Sequence, residues 1–369
     1  MKSINLDKFR QQGDPLADQV LRNLGENKAS SFYHKVFLRL IQDIKSPLDG
    51  IQPFASEFLL STAELPDWVG AKDTQRCHDM FRNHGRKFLT ILYFKSLPLL
   101  YFNSKGSEVL VTTARLAHSV DRNDIYARRI AETGKFLLYL LKPNRLEPGA
   151  LGIRTIQKVR LIHAFTRQSL MKTKSWDQTK FGIPINQEDM VMTLMCFSLG
   201  LLEGLHQFGI RESEENKNAF FNTWMGIGSL LGISPELLPN HLGEGQELLH
   251  LILQRNGTES KAGKELTRAL IVFAQHHMPS SLRNAPASFI RYFNPNIASQ
   301  LLEENGRIGT RKSFFPYLLK IFFQMEHFLK THYPYLFKIL LAWRSREMMS
   351  RFDAASKSMD EEGSSAFLS

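Results

Sequence analysis

The chain has 369 residues, of which 43% are hydrophobic and 22% charged, as in a globular protein rather than a disordered chain or a membrane bundle. The only two cysteines, Cys77 and Cys196, are far apart, which excludes a disulfide framework and a multi-cysteine zinc site. The net charge of +11 favours an anionic partner. Nucleic acid is not expected to be that partner, because the sequence has no finger or glycine-aromatic motif.

The N-terminal residues and the longest apolar run indicate where in the cell the protein is expected. Residues 1–18 are polar and lack the apolar stretch of a secretory signal. The longest nearly uncharged run, residues 190–202, is too short to cross a bilayer as a helix. We therefore expect a cytoplasmic protein that contacts membranes peripherally if at all.

Almost every segment shows helical periodicity, because apolar residues recur at intervals of three and four rather than two. The pattern predicts an all-α fold. In chain order the predicted helices are 26–44, 72–101 with a break near Pro98, 121–141, 153–172, 186–207, 213–228, 242–255, 261–277 and 314–343 with a break at Pro334. The helix from Asn186 is apolar on nearly all faces, so we expect it at the centre of the fold.

The predicted organisation has four parts: an N-terminal extension (1–25), a helical core (26–239), a C-terminal helical cap (240–352) and a disordered tail (353–369). Within the cap, residues 313–343 combine dense aromatic and leucine residues with scattered lysines. Two interpretations are open. The segment lies on anionic lipid as an interfacial helix, or it packs on the core while its lysines reach water.

One histidine stands out among the candidate functional residues. His163 belongs to an apolar stripe of its helix that also contains Ile156, Val159, Thr166 and Leu170. Arg160 and Arg167 flank it at spacings of three and four. This arrangement suits an iron ligand whose cofactor carries carboxylates for the arginines. A core histidine that is hydrogen-bonded to the backbone is the alternative.

A second group consists of Arg128, Arg129, Glu132 and Thr133 on the preceding helix. Arg129 and Thr133 share a helix face because they are four residues apart, and Glu132 can be reached from Arg129 at a spacing of three. The pattern alone does not distinguish the wall of a functional pocket from a solvent-exposed helix face with an ordinary ion pair.

Several stretches carry a resemblance to a known family. The sequence resembles the rubber oxygenase (latex-clearing protein) family, which also holds the fungal MpaB-type ER-bound oxygenases, over roughly residues 13–239. The order and spacing of the matching stretches carry this resemblance: GDPLAD at 13–18, LPDW at 65–68, SLP at 96–98, VL at 109–110, KVRLIHAFTR at 158–167, GIPINQ at 182–187, WMGIG at 224–228 and LGI at 231–233.

The resemblance implies an all-helical fold with a globin-like core around a b-type haem. His163 matches the proximal iron ligand of the family, and Arg129 and Thr133 match its distal pair. Two positions depart from the characterised rubber-cleaving members. Glu132 stands where they have a lysine able to cap the iron, and Thr113 stands where they have an acidic residue proposed as a base. The haem site can therefore persist while substrate and chemistry differ.

The resemblance implies a reaction with dioxygen at an alkene of a greasy substrate, such as an isoprenoid or unsaturated lipid, with cleavage to carbonyl products. Glu132 would pair with Arg129 or accept a proton, and the spacing makes Arg160 and Arg167 candidates for the haem propionates. Helix register predicts a pocket lined by Phe136, Met190, Leu194 and Phe197. Rubber is not the expected substrate, because it is extracellular. A haem protein without oxygenase turnover, such as a sensor or peroxidase-like scavenger, and a membrane-surface adaptor remain alternatives.

Overall fold

The computed structural model describes residues 4–26, 52–116, 121–302 and 313–333. Apart from an isolated antiparallel bridge between Asn103 and Gly257, all regular structure in these ranges is helical. The predicted all-α class is thereby confirmed, and the arrangement is compatible with a globin-like core. The predicted helix at 26–44, apart from its first residue, and the predicted disordered tail at 353–369 lie outside the described residues.

The described helices are numbered α1 to α16 in chain order. Their bounds are α1 Leu6–Arg10, α2 Pro15–Glu26, α3 Gln52–Ser61, α4 Ala71–Ile91, α5 Leu97–Phe102, α6 Ser107–Leu116, α7 Arg122–Leu141, α8 Leu151–Met171, α9 Gln178–Phe181, α10 Gln187–Gln207, α11 Glu214–Leu230, α12 Leu242–Asn256, α13 Lys261–His276, α14 Ala285–Phe293, α15 Ala298–Leu301 and α16 Phe315–His332. Single 3₁₀ turns lie at Pro235–Leu237 and Ser280–Leu282.

Polar caps fix several of the helix starts that the sequence predicts. Asn186 accepts a hydrogen bond from the Asp189 backbone N–H and caps α10, while Ser213 accepts one from the Asn216 N–H and caps α11. Such side chains satisfy backbone donors that have no partner in the first helical turn. The predicted starts at 186 and 213 are therefore confirmed as cap positions.

The predicted break near Pro98 is a change of helix type rather than an end. A π-helical stretch, Leu92–Ser96, joins α4 to α5, so the chain stays helical from Ala71 to Phe102. Pro98 has no N–H for the carbonyl four residues earlier. That carbonyl, of Phe94, instead accepts a hydrogen bond of 2.9 Å from Asn294 Nδ2. This hydrogen bond therefore joins the C-terminal end of α14 to the π-helical stretch.

Helix α10 lies at the centre, as its all-round apolar sequence predicts, and packs against α4, α11 and α12. Among the described residues it is the one helix long and apolar enough to pass a test for a membrane span, and 78% of the apolar window is buried inside the protein. Its composition is therefore accounted for by its central position.

One hydrophobic core extends across the predicted divisions of the chain. Leu6 and Phe9 of α1 are buried in the same cluster as residues of α10, and so are Ile252 of α12 and Phe289 of α14. The structure consequently shows no core boundary at residue 25 or at residue 239. The N-terminal residues and the C-terminal helices are parts of the body that positions the site.

Candidate active site

A cavity of about 460 Å³ lies between α5, α6, α7, α8 and α10, within the size range typical of small-molecule sites. Its wall is mostly apolar. The four side chains predicted from helix register all line it, namely Phe136, Met190, Leu194 and Phe197. Thr113, Arg129, Glu132, Thr133 and His163 line the same cavity. The fold therefore brings together the two groups of candidate residues that the sequence places on separate helices.

His163 is on the face of α8 that borders the cavity. Its Nδ1 is buried and has no hydrogen-bond partner among the described residues. Its Nε2 does not belong to the set of buried atoms without a partner. Burial, and secondarily the charge of Arg167, lowers the pKa of this imidazole to about 4. The ring is consequently neutral at pH 7 and retains a free nitrogen lone pair, which is the form that binds a metal ion.

The described residues contain no group of three His, Cys, Asp or Glu side chains placed to hold a metal ion. A metal bound by His163 would take its other ligands from a cofactor, as iron does in a porphyrin. The neutral, unpartnered imidazole at an apolar cavity fits such a group. It fits less well with a purely structural histidine, because buried polar atoms of that kind normally have a partner.

Arg160 and Arg167 are not at the cavity. Arg160 donates to both carboxylate oxygens of Asp14, with 2.8 Å between Nη2 and Oδ1, and to the Leu230 carbonyl. Arg167 pairs with Asp18 at 3.1 Å. Both guanidinium groups are buried in ion pairs that join α8 to the GDPLAD segment, and neither lines the cavity wall. In the structure, the partners of Arg160 and Arg167 are therefore the carboxylates of Asp14 and Asp18, whereas the spacing predicts haem propionates.

Gly232 allows the tighter of these two ion pairs to form. Its backbone has a positive φ of 84°, and a Cβ there would lie 2.5 Å from Asp14 Oδ2 and 2.6 Å from Arg160 Nε. A side chain at this position would be strained and would displace the pair. The glycine in the LGI stretch therefore serves the contact between α2 and α8.

Helix α7 supplies further polar residues of the cavity wall. The Arg129 Nη1 donates to the Leu110 carbonyl at 2.8 Å, and burial lowers the pKa of the guanidinium. No carboxylate of the described residues lies within ion-pair distance of it. The Thr133 hydroxyl donates to the Arg129 carbonyl at 2.7 Å, which leaves its oxygen lone pairs available as acceptors. Arg129 is consequently a cation at the cavity wall without a paired anion.

Glu132 has a different partner from the one predicted. It accepts a hydrogen bond of 2.9 Å from Arg128, four residues earlier, and its side chain is 56% exposed. The predicted pair with Arg129 is therefore replaced by a pair with Arg128 at the rim. Glu132 still lines the cavity, so its carboxylate lies between solvent and the interior. The Thr113 hydroxyl donates to carbonyls of its own helix, at 2.7 Å to Val109.

Two functional candidates were not singled out in the sequence. Trp224 is 1% exposed and lines the cavity, and its indole N–H has no partner among the described residues. Asp189 also lines the cavity, but it accepts from Arg10 and Asn103 at 3.0 Å each. Trp224 is therefore an unused donor, whereas Asp189 anchors the start of α10. In the sequence, Trp224 is distinguished only as a large residue with one polar N–H group on an otherwise apolar helix.

The described residues thus place one imidazole and one arginine without a paired carboxylate on the wall of the same apolar cavity, which suits a bound apolar cofactor. The sequence model of the family described as ER-bound oxygenase mpaB/B′/rubber oxygenase, catalytic domain, matches residues 82–309. The chain belongs to this family. The match continues past residue 239, where the resemblance noted in the sequence ends, and includes α12 to α15.

Two relatives illustrate the similarity. The rubber oxygenase of Streptomyces sp. (strain K30) is 22% identical over 298 residues, which are 76% of this chain and 67% of the relative. A solved structure of latex clearing protein LCP in the closed state superposes with a TM-score of 0.68 at 20% identity, covering 91% of this chain and 84% of the other. The second comparison shows that the two chains share a fold. Membership of the family supports an oxygenase activity.

Proposed function

We propose that the protein is a haem b-dependent oxygenase that uses dioxygen to attack an alkene of an apolar isoprenoid or lipid-like substrate, with oxidative cleavage of the double bond. The observation that carries the proposal is the neutral His163 imidazole, which has no partner among the described residues and lines the same cavity as Arg129 and Thr133. Family membership supplies the oxygenase class, and the apolar lining supports the substrate class.

His163 would hold the haem iron through its free ring nitrogen. Haem supplies the redox chemistry with dioxygen that side chains lack. Phe136, Met190, Leu194 and Phe197 would bind the hydrocarbon part of the substrate and exclude water from it.

Arg129 and Thr133 would supply the polar side of the reaction. A fixed cation without a paired anion stabilises negative charge that develops on a nearby oxygen atom, and it acts more strongly where water is excluded. Thr133 can accept a hydrogen bond at its Oγ and so orient a protonated group there. Glu132, at the rim, can exchange protons with solvent because its carboxylate is half exposed. Arg160 and Arg167 are positioning residues, since they hold α8 against the N-terminal segment.

The first test is the absorption spectrum of protein expressed with a haem precursor. We expect a Soret band in wild type and its loss in His163→Ala, because no other imidazole of the described residues lines the cavity. His276→Ala is the matched control, since His276 is an exposed histidine on α13, and it should keep the band. A His163→Ala protein with full haem content and an unchanged spectrum would contradict the assignment.

The second test concerns turnover. Oxygen uptake should rise with squalene, an isoprenoid alkene, and should not rise with its saturated analogue squalane. Mass spectrometry should then detect aldehyde or ketone products. A haem spectrum without alkene-dependent oxygen uptake would instead support a haem protein that has no oxygenase turnover. A colourless protein would support a non-catalytic role at a membrane surface.

A further inference from the structure

Helix α16 has an apolar side that the described part of the protein leaves uncovered. Its inner side packs on the core through Phe323, whose ring is 5.0 Å from Phe208, and through Phe315, which is 5.9 Å from Phe289. The opposite side consists of large apolar residues that are 40 to 79% exposed. We call this side the outer face; its residues are Phe314, Tyr317, Leu318, Ile321, Phe322, Met325 and Phe328.

Exposed apolar residues are concentrated at this face. Of the twelve large hydrophobic residues that are exposed within the described ranges, eight lie between Phe314 and Tyr333. The other four are scattered singly, at Leu60, Trp68, Met171 and Leu251. The outer face extends over about 21 Å of helix at 1.5 Å per residue. Single exposed apolar residues are ordinary, whereas a contiguous patch of this kind marks an interaction surface.

The sequence of the segment that contains the outer face is strongly basic. Residues 305–351 contain 9 Lys and Arg against 2 Asp and Glu, a net charge of +7. One of these acids, Glu326, is paired with Lys87 at 2.8 Å, and the Lys87 ammonium lies 4.9 Å from the centre of the Phe323 ring. The outer face itself carries no acidic side chain. Its occupant should therefore be apolar and bear negative charge.

We propose that the outer face of α16 docks the protein onto the surface of a bilayer that contains anionic lipid. The helix lies flat, with Leu318, Ile321 and Met325 between the acyl chains and Lys320 at the level of the headgroups. Buried apolar area and attraction to anionic headgroups together determine the strength of such interfacial binding. A second copy of this chain fits less well, because residues 305–351 of each copy have a net charge of +7 and the two segments would repel each other.

For the described part, 313–333, the proposal uses both interpretations of residues 313–343. The inner side of α16 packs on the core, while the outer face is left for the membrane. Pro334 and the residues that follow lie outside the described structure. Vesicle binding depends on the outer face alone, so it is independent of the proposed oxygenase activity.

Flotation of the full-length, haem-loaded protein with vesicles is the test. Phosphatidylcholine vesicles that contain phosphatidylserine should carry the wild type upward at low salt, and pure phosphatidylcholine vesicles should bind at least about tenfold less. The variant Leu318→Gln, Ile321→Gln, Met325→Gln should bind the anionic vesicles at least about tenfold less than wild type.

A matched control has three exposed apolar residues changed outside the outer face: Leu60→Gln, Met171→Gln, Leu251→Gln. It should float like the wild type, and both variants should keep the wild-type melting temperature. The proposal is overturned if the wild type stays unbound at low salt or if both triple variants float equally. It is also overturned if the wild type is a dimer without vesicles and the outer-face variant is a monomer, since the face then joins two copies.

Discussion

At the residue scale, the wall of the cavity is asymmetric. Within the described part of the chain, His163 on α8 is neutral and has no hydrogen-bond partner, whereas Arg129 on α7 is charged and has no ion-pair partner. Burying a charge without a counterion is costly, and proteins retain such groups mostly where they act on a ligand. The burial that lowers the pKa of Arg129 is thus the same condition that makes its charge effective on a reactant.

Replacing Arg129 should therefore affect turnover more than cofactor content. We expect Arg129→Met to retain haem and to lower the rate of alkene-dependent oxygen uptake about a hundredfold, the usual effect of removing one stabilising donor. Arg128→Met is the matched control, because Arg128 is adjacent but is paired with Glu132 at the exposed rim. Equal oxygen uptake and equal cyanide affinity in the two variants would refute a role for Arg129 at the reacting atoms.

The sequence identified part of this site for reasons that the structure explains. Helix periodicity was sufficient to place His163, Thr133 and the apolar lining on the correct faces, because each face is set by its own helix. The partners of Arg160 and Arg167 could not be found in this way. Asp14 and Asp18 are almost 150 residues away along the chain, and no local pattern links them to α8.

At the element scale, the contact between α2 and α8 depends on one carboxylate. Asp14 precedes Pro15 and caps α2 by accepting a hydrogen bond from the Ala17 N–H at 3.2 Å. Its two oxygens also receive the Arg160 guanidinium, and both side chains are less than a tenth exposed. The GDPLAD stretch is therefore a structural anchor for α8.

Removing this carboxylate should cost much more than removing a surface acid. We expect Asp14→Ala to lower the free energy of unfolding by about 3 to 5 kcal/mol, because Arg160 would remain as an uncompensated buried charge. Urea denaturation at pH 7 measures the change. Glu214→Ala should change it by less than about 1 kcal/mol, since the exposed pair of Glu214 with Lys217 contributes little.

A second comparison separates the lost ion pair from the lost helix cap. In Asp14→Ala, Arg160→Met the buried charge is gone, while the cap of α2 is still absent. The double variant should regain most of the stability that Asp14→Ala loses. If it is as unstable as Asp14→Ala, the cap rather than the ion pair holds the segment in place.

Helix boundaries were more predictable than the connections between helices. The sequence predicts three helix starts at polar residues that are N-caps in the structure, namely Asp121, Asn186 and Ser213. The π-helical stretch before Pro98 could not be predicted from Pro98 alone. The Phe94 carbonyl in this stretch is hydrogen-bonded to Asn294, 200 residues further along the chain, and no local sequence pattern indicates that contact.

At the scale of the whole molecule, one core joins segments from Leu6 to Phe323 around the cavity. The cavity is consequently coupled to global stability, and an ionisable group at its wall contributes to the free energy of unfolding. The relevant group is His163, since its pKa is about 4 in the folded protein against 6.5 for an unperturbed histidine. What remains accessible of this side chain faces the cavity.

The protein without haem should therefore lose stability in mildly acidic solution. Above pH 6.5 the imidazole is neutral in both the folded and the unfolded chain, and it has no effect. Between pH 6.5 and about pH 4 the unfolded chain binds a proton that the folded chain does not, so stability falls as the pH falls. Below pH 4 this contribution stays constant. From pH 7.5 to pH 4.5 it amounts to about 2 to 3 kcal/mol.

Other groups also titrate over this range, so the prediction concerns a difference between variants. Urea denaturation at pH 7.5 and pH 4.5 should show a loss of stability about 2 to 3 kcal/mol smaller in His163→Leu than in wild type. His276→Leu, changed at an exposed histidine, should lose as much as the wild type does. If His163→Leu and wild type lose equal stability on acidification, His163 binds a proton in the folded protein as readily as in the unfolded chain. The imidazole would then not be the buried neutral ligand on which the proposed haem site depends.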